Sequence, residues 1–363
     1  MRVAVLGTGG IGLAMAALLC RDGHDPAIWS PSGLGTRAFA EGEPLVASGA
    51  MTGSFRPRVA VTCAQAMDGA ECVIIAVPAY GHRAVMDAAA PHVQTSQTLI
   101  VSSQYSLSAM YLRDLLDRRG IAVPVVAWGT TVVMGRRVGR GEVAVLTVRS
   151  AVDVATLPDA RSQAGLVKCR ALFGDRFHPR ANVIAIQLSN VNPQAHLANA
   201  LCNLTRMEKG ETWDNYGGLT ASVSRLVESL DVERLAIARV FGVKVRTMRE
   251  HMSLSFDLPS MPLSEAAREV ALRGGSPGPS TLQARWILED LPFGIVPLIA
   301  LADSAGVEVP LHRAGLTLFS ALLGRDLASE NDLLAHLPIA KSTLDPLTQV
   351  SSGWLAIHST GAA

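Results

Sequence analysis

The 363 residues predict an α/β protein, with an N-terminal doubly wound parallel sheet followed by an all-helical C-terminal domain. Three observations carry that prediction. The chain opens on a glycine-punctuated strand-turn-helix; short apolar runs then alternate with helical patterns; and from Asn192 onward the pattern is helical throughout, broken by Pro and Gly. The length favours two domains, placed at 1–185 and 186–363, and a 49% hydrophobic composition fills their cores.

The first element is VAVLGTGGIG, an apolar strand from Val3 to Leu6 running into Gly7, Gly9 and Gly12, then a small-residue helix from Leu13 to Cys20. Gly7 permits the tight turn, Gly9 close approach of backbone to a pyrophosphate, and Gly12 close helix-strand packing. Gly10 and Ile11 complete the loop, whose N–H groups and helix dipole face an anion. The segment therefore predicts a Rossmann-type dinucleotide site. Where the second strand ends, an acid would bond the ribose 2′-OH of NAD, but this chain reads AIWSPSGLGTR. Ser30 stands in the acid's place and Ser32 and Arg37 follow, which favours NADP, with NAD bound without the acid as the alternative.

Further strands are expected at Pro57 to Thr62, Glu71 to Val77, Thr98 to Ser102, Val123 to Trp128, Val143 to Val148 and Val183 to Leu188, with helices around Ala79 to Ala90 and Ser108 to Arg119. In CVIIAVPAYGH, Val77 and Pro78 end a strand where such sheets hold ligands, and they are assigned to the nicotinamide pocket or to ordinary strand capping. Helical stretches then follow at Pro193 to Met207, Thr220 to Phe241, Val245 to Met252, Leu263 to Leu272, Thr281 to Glu289, Gly294 to Ala305 and Leu311 to Leu323. Arg273 to Thr281 reads as a turn-rich loop, and the tail beyond Trp354 lacks periodicity.

The second informative stretch is SNVNPQAHLANALCNLTRM. Asn192 is the expected N-cap with Pro193 in the first turn, and Asn192, His196, Asn199 and Asn203 share one face of an otherwise apolar helix. Unpartnered buried amides cost roughly 1–3 kcal/mol each, so the stripe is expected to face a polar cleft or ligand. His196 is the natural proton-exchanging group near neutral pH. An orienting carboxylate is sought in ARWILEDLPFGIVP, where Glu289 and Asp290 both qualify. Trp213 and Tyr216 either border a pocket or simply pack.

Charge is nearly balanced at +1 with no basic stripe, so neither nucleic acid nor an acidic membrane has anything to grip, and small polar molecules are the expected partners. Five scattered cysteines lack disulfide or zinc-ligand spacing, the histidines are far apart, and no metal site is expected. The glycines interrupt any signal-like apolar region, and no run reaches membrane-spanning length, which predicts a soluble cytoplasmic protein. A dimer interface would also suit the apolar composition.

Asn192-Pro193-x-x-His196, then Glu289-Asp290 before PFGIVPLIALADSAGVEVP, together with VDVATLP and VPAYGH, resembles the opine dehydrogenases over most of residues 1 to 325. The resemblance implies NAD(P)H-dependent reductive condensation of an amino acid or amine with an α-keto acid such as pyruvate, through an imine. It implies His196 as proton donor and acceptor, Asp290 as its partner, Arg285 near the coenzyme phosphates, Gln104 as a pocket residue, and Asn192 and Asn199 as hydrogen-bonding groups for substrate. Two rivals are weighed. A reductase of simple keto acids would use a lysine, for which Lys209 is available but off the stripe, and it would run without an amine. A nucleotide-sensing protein would bind coenzyme with no turnover.

Overall fold

The computed structural model describes residues 1–337 and Ile339; the aperiodic tail beyond Trp354 lies outside them. The chain divides into two compact units, Met1–Gln187 and one beginning at Leu188.

The first unit holds an eight-stranded sheet. Its strands are β1 (Arg2–Leu6), β2 (Asp25–Trp29), β5 (Arg58–Val59), β6 (Cys72–Ile75), β7 (Thr98–Val101), β8 (Val125–Trp128), β11 (Val152–Leu157) and β12 (Phe177–Pro179), in the order β12-β11-β8-β7-β6-β1-β2-β5. All neighbours are parallel except β11 and β8. The strand order reverses between β1 and β6, so the loops after Leu6 and Ile75 flank the point where doubly wound sheets bind ligands. Helices α1 (Gly10–Arg21), α2 (Arg37–Ala40), α3 (Cys63–Met67), α4 (His82–Ala89), α5 (Ser108–Asp117) and α6 (Ser162–Phe173) connect the strands.

Sequence reading missed a second, four-stranded sheet: β3 (Leu45–Gly49), β4 (Gly53–Phe55), β9 (Val133–Arg137) and β10 (Glu142–Val148), ordered β4-β3-β10-β9. It explains α1. Gly12 through Leu19 are all buried, because the β9 backbone covers the helix on a further side. A Cβ on Gly10 would lie 2.3 Å from the Gly135 carbonyl oxygen, and one on Gly135 would lie 2.5 Å from Ala14 Cβ. Only small residues permit that approach.

Val183 to Leu188, expected as a strand, is instead helix α7 (Val183–Ser189). A short apolar run buried on all sides has no periodicity to separate strand from helix. The decision is local: Asn182 Oδ1 accepts the Ala185 N–H at 2.9 Å, as a helix-capping residue does.

The second unit is helical: α8 (Asn192–Cys202), α9 (Leu204–Glu208), α10 (Ala221–Val240), α11 (Met248–Phe256), α12 (Leu263–Leu272), α13 (Arg285–Leu288), α14 (Val296–Ala305) and α15 (Pro310–Leu323). Long α10 organises it through buried charge. Glu233 caps α15, accepting the Leu311 N–H at 2.9 Å and lying 2.6 Å from His312 Nδ1, while fully buried Arg234 binds Asp231 at 2.6 Å and the carbonyls of Leu188 and Arg246. The loop at 273–281 is docked rather than loose: Asp214 accepts the N–H groups of Gly217 and Ser276 at 2.7 and 2.8 Å. No helix among the described residues is long and apolar enough to cross a membrane.

Candidate active site

In the first unit the glycine loop has the geometry its spacing predicts. Gly7 has φ of +129°, a conformation L side chains rarely adopt, and a Cβ there would meet the Ala76 carbonyl oxygen at 2.3 Å and Val77 Cγ1 at 2.8 Å. A Cβ on Gly12 would sit 2.0 Å from the Gly7 carbonyl oxygen, whereas nothing lies within 4 Å of one on Gly9. The loop is closed underneath at Gly7 and Gly12 and open above Gly9, a cradle fit for a pyrophosphate over the N–H groups of Gly10 and Ile11. Val77 and Pro78, both half-buried, stand beside it. His82 follows them, fully buried; desolvation, only partly offset by a hydrogen bond with the Val77 backbone, pulls its pKa down to about 4.

At the end of β2, Ser30 is buried and its Oγ has no partner, an orphaned polar atom where a ribose group is expected. Ser32 and Arg37 are exposed, and Arg37 is paired with Glu41 at 2.9 Å. The cation nearer the loop is one that sequence reading missed. Strand alternation puts Gly135 and Arg137 on the same face of β9, and Arg137 Nη1 reaches the carbonyls of Thr8 (3.5 Å) and Gly35 (3.4 Å). Its other hydrogen bonds also go to main-chain carbonyls, of Gly139 and Arg140, and no described carboxylate pairs with it. A residue over a hundred positions downstream gives no local signal of this.

Gln104, after β7, donates from Nε2 to the Val183 carbonyl at 2.8 Å, and its buried Oε1 has no partner.

In the second unit the structure brings together the two residues singled out for proton chemistry. His196 Nδ1 lies 2.7 Å from Asp290 Oδ2, across 94 residues of sequence. The Asp290 side chain is 6% exposed and that of His196 20%. With the carboxylate ionised, Nδ1 carries the proton and donates it, leaving the Nε2 lone pair to accept or return a proton. Glu289, the other candidate, is turned away and paired with Arg285.

Local structure makes this pairing. After α13 the chain forms a π-helical turn, Leu291–Ile295, immediately beyond Asp290. Gly294 in that turn packs on Pro193 at the start of α8; a Cβ there would come within 2.5 Å of Pro193 Cγ. Asn331 Nδ2 donates to the Pro292 carbonyl at 2.8 Å. The contact of Gly294 with Pro193 fixes α8 against the turn, and one helical turn later His196 meets Asp290. Val191, not Asn192, is the N-cap of α8; Asn192 is the first helical residue, its N–H bound by Asn190 Oδ1 at 3.1 Å.

The polar stripe divides. Asn192 is exposed, but Asn199 and Asn203 are buried and satisfied by the protein itself. Asn203 Nδ2 donates to Asn199 Oδ1 (2.9 Å), and Asn199 Nδ2 donates to the Asn215 carbonyl and Oδ1 (both 2.9 Å). Their burial needs no ligand, and the substrate hydrogen bond expected of Asn199 is replaced by a structural one. Trp213 packs, 5% exposed, with Nε1 bonded to the Pro279 carbonyl at 2.9 Å, and Tyr216 packs edge-on against Phe256. Lys209 is exposed at the end of α9. Arg285 is exposed.

Residues 179–323 match the family model for NAD/NADP octopine/nopaline dehydrogenase, alpha-helical domain, the part that holds both His196 and Asp290. The helical part of the chain is thus similar to that of the opine dehydrogenases. Residues 3–157 match the model for ketopantoate reductase PanE/ApbA. An opine dehydrogenase of Arthrobacter sp. (strain 1C) is 28% identical over 94% of this chain and 96% of its own length. Among solved structures, an octopine dehydrogenase with NADH and L-arginine superposes with a TM-score of 0.77 at 18% identity, covering 89% of this chain and 90% of that one. A yersinopine dehydrogenase with NADP+ bound gives 0.71 at 16%, covering 93% and 98%.

Proposed function

We propose that this chain joins the amine of an amino acid, or a simple amine, to an α-keto acid and reduces the resulting imine to a secondary amine. The single observation that carries the reading is the His196–Asp290 pair, 2.7 Å apart on elements of the octopine dehydrogenase-type helical domain. Amine and keto acid condense with loss of water, and the imine takes up one hydride and one proton. Bound NAD(P)H supplies the hydride. His196 moves the protons at Nε2, accepting one from the ammonium form of the donor and returning one as the secondary amine forms. Asp290 holds Nδ1 and stabilises the imidazolium. In the second unit Arg285, paired with Glu289, is assigned to the coenzyme phosphates and Asn192 to substrate; in the first unit Gln104 is assigned to substrate. Gly7, Gly9, Gly10, Ile11, Gly12, Val77 and Pro78 hold the coenzyme.

NADP is the preferred coenzyme in this reading. What supports it is Ser30 where NAD sites carry an acid, and the uncompensated Arg137 guanidinium against the loop. A cytoplasmic homodimer completes the proposal.

The test is a panel of amines crossed with keto acids, following coenzyme oxidation with NADPH and NADH separately. Turnover is expected only when both organic substrates are present. Equal turnover with the amine omitted would make the chain a simple keto-acid reductase, and coenzyme binding without turnover for any pair would leave a sensor.

A further inference from the structure

The His196 ring is held on a second side. The indole of Trp286 lies flat against it, ring centroids 4.3 Å apart and planes 8° from parallel. Trp286 stands four residues before Asp290, so the i, i+4 relation puts both on one side of the same short segment, where each reaches the imidazole. The indole is itself braced. Trp213 meets it edge-on, at 6.0 Å and 88°, and the Trp213 ring is wedged so tightly that a Cβ on Gly278 or Gly218 would approach it to 2.4 or 2.6 Å. Arg206 lies over Trp213, 5.4 Å from the ring centroid.

We infer that Trp286 is a positioning residue for the proton transfer at His196. A hydrogen bond at Nδ1 fixes the direction of that nitrogen but leaves the ring free to tilt about the bond. A flat aromatic surface against one face removes the tilt. Asp290 and Trp286 together leave Nε2 aimed in one direction, and the indole also keeps water from that face of the ring. The π surface favours a cation above it, so it supports the imidazolium formed during turnover. Trp286 touches neither coenzyme nor reacting atoms in this account; it acts through His196, and the inference therefore rests on the proposed role of that residue.

The experiment compares Trp286→Leu, Trp286→Phe and His196→Ala in the full chain. Trp286→Leu keeps apolar volume but loses the flat face; kcat is expected to fall about tenfold or more, on the scale of a lost aromatic contact, while KM for both substrates and coenzyme affinity stay within about threefold. Trp286→Phe restores a face and most of kcat. The spectroscopic readout is the Cε1–H resonance of His196, assigned by its loss in His196→Ala. Ring current should displace it upfield in the wild type and in Trp286→Phe, and this wild-type signature stands even if the Leu variant does not fold. A wild-type resonance without upfield displacement, or a folded Trp286→Leu protein with unchanged kcat, overturns the inference. Near-normal turnover in His196→Ala overturns the parent reading instead, and so separates the two failures.

Discussion

Replacing Asp290 by Asn tests the mechanism most directly. The amide has the carboxylate's shape and leaves no buried charge unpaired, so the fold should tolerate it. It removes the negative charge 2.7 Å from His196 Nδ1, at a side chain only 6% exposed, where water screens little. A charge-assisted hydrogen bond of this kind is worth about 1.5–3 kcal/mol. Because the charge on His196 develops during proton transfer, the loss falls on the transition state, and at about 1.4 kcal/mol per decade it corresponds to a decrease in kcat of roughly 10–150-fold. The coenzyme cradle lies in residues of the first unit, so coenzyme affinity should stay within about threefold. The assay is steady-state coenzyme oxidation with both substrates saturating, beside direct coenzyme titration and thermal unfolding. A kcat within about threefold of wild type, in a variant with unchanged unfolding, would refute the claim that the carboxylate supports the imidazolium.

Three further outcomes follow from the same geometry. Gly294→Ala places a Cβ 2.5 Å from Pro193 Cγ; overpacking of this kind costs about 1–3 kcal/mol, so denaturant unfolding should show that loss together with reduced kcat, and an unchanged midpoint would mean the contact does not set the register of α8. Arg137→Ala should weaken NADPH binding about tenfold with NADH affected far less, measured by calorimetric titration, and equal losses for both would make Arg137 a structural staple. His82 carries a pH dependence: its folded pKa, about 4, lies below the ordinary value of 6.5, so its burial is fully supported above pH 6.5 and stability is lost as pH falls toward 4. The unfolded chain takes up the proton first, at roughly 1.4 kcal/mol per pH unit. Denaturant midpoints between pH 7 and 4.5 should fall less steeply in His82→Gln than in wild type, and parallel slopes would exclude His82 as a source.

Features encoded within a few neighbouring residues could be read directly from the amino acids. The glycine spacing at Gly7, Gly9 and Gly12 dictates its own loop, because a Cβ at the first or third would strike backbone. The spacing of Asn192, His196 and Asn199 follows from helical periodicity. The pairing of His196 with Asp290 was legible through resemblance, since nothing in the local chemistry separates Asp290 from Glu289.

Contacts made in three dimensions account for the remainder. The inner amides of α8 proved to satisfy each other and Asn215, a partner on another segment. Arg137 reaches the glycine loop through a second sheet packed on α1, and Trp286, in α13, meets the face of His196 in α8, whose first turn Gly294 packs against at Pro193. These are contacts between residues far apart in the chain, and their energies depend on distance in space, for which a single sequence carries no periodic signal.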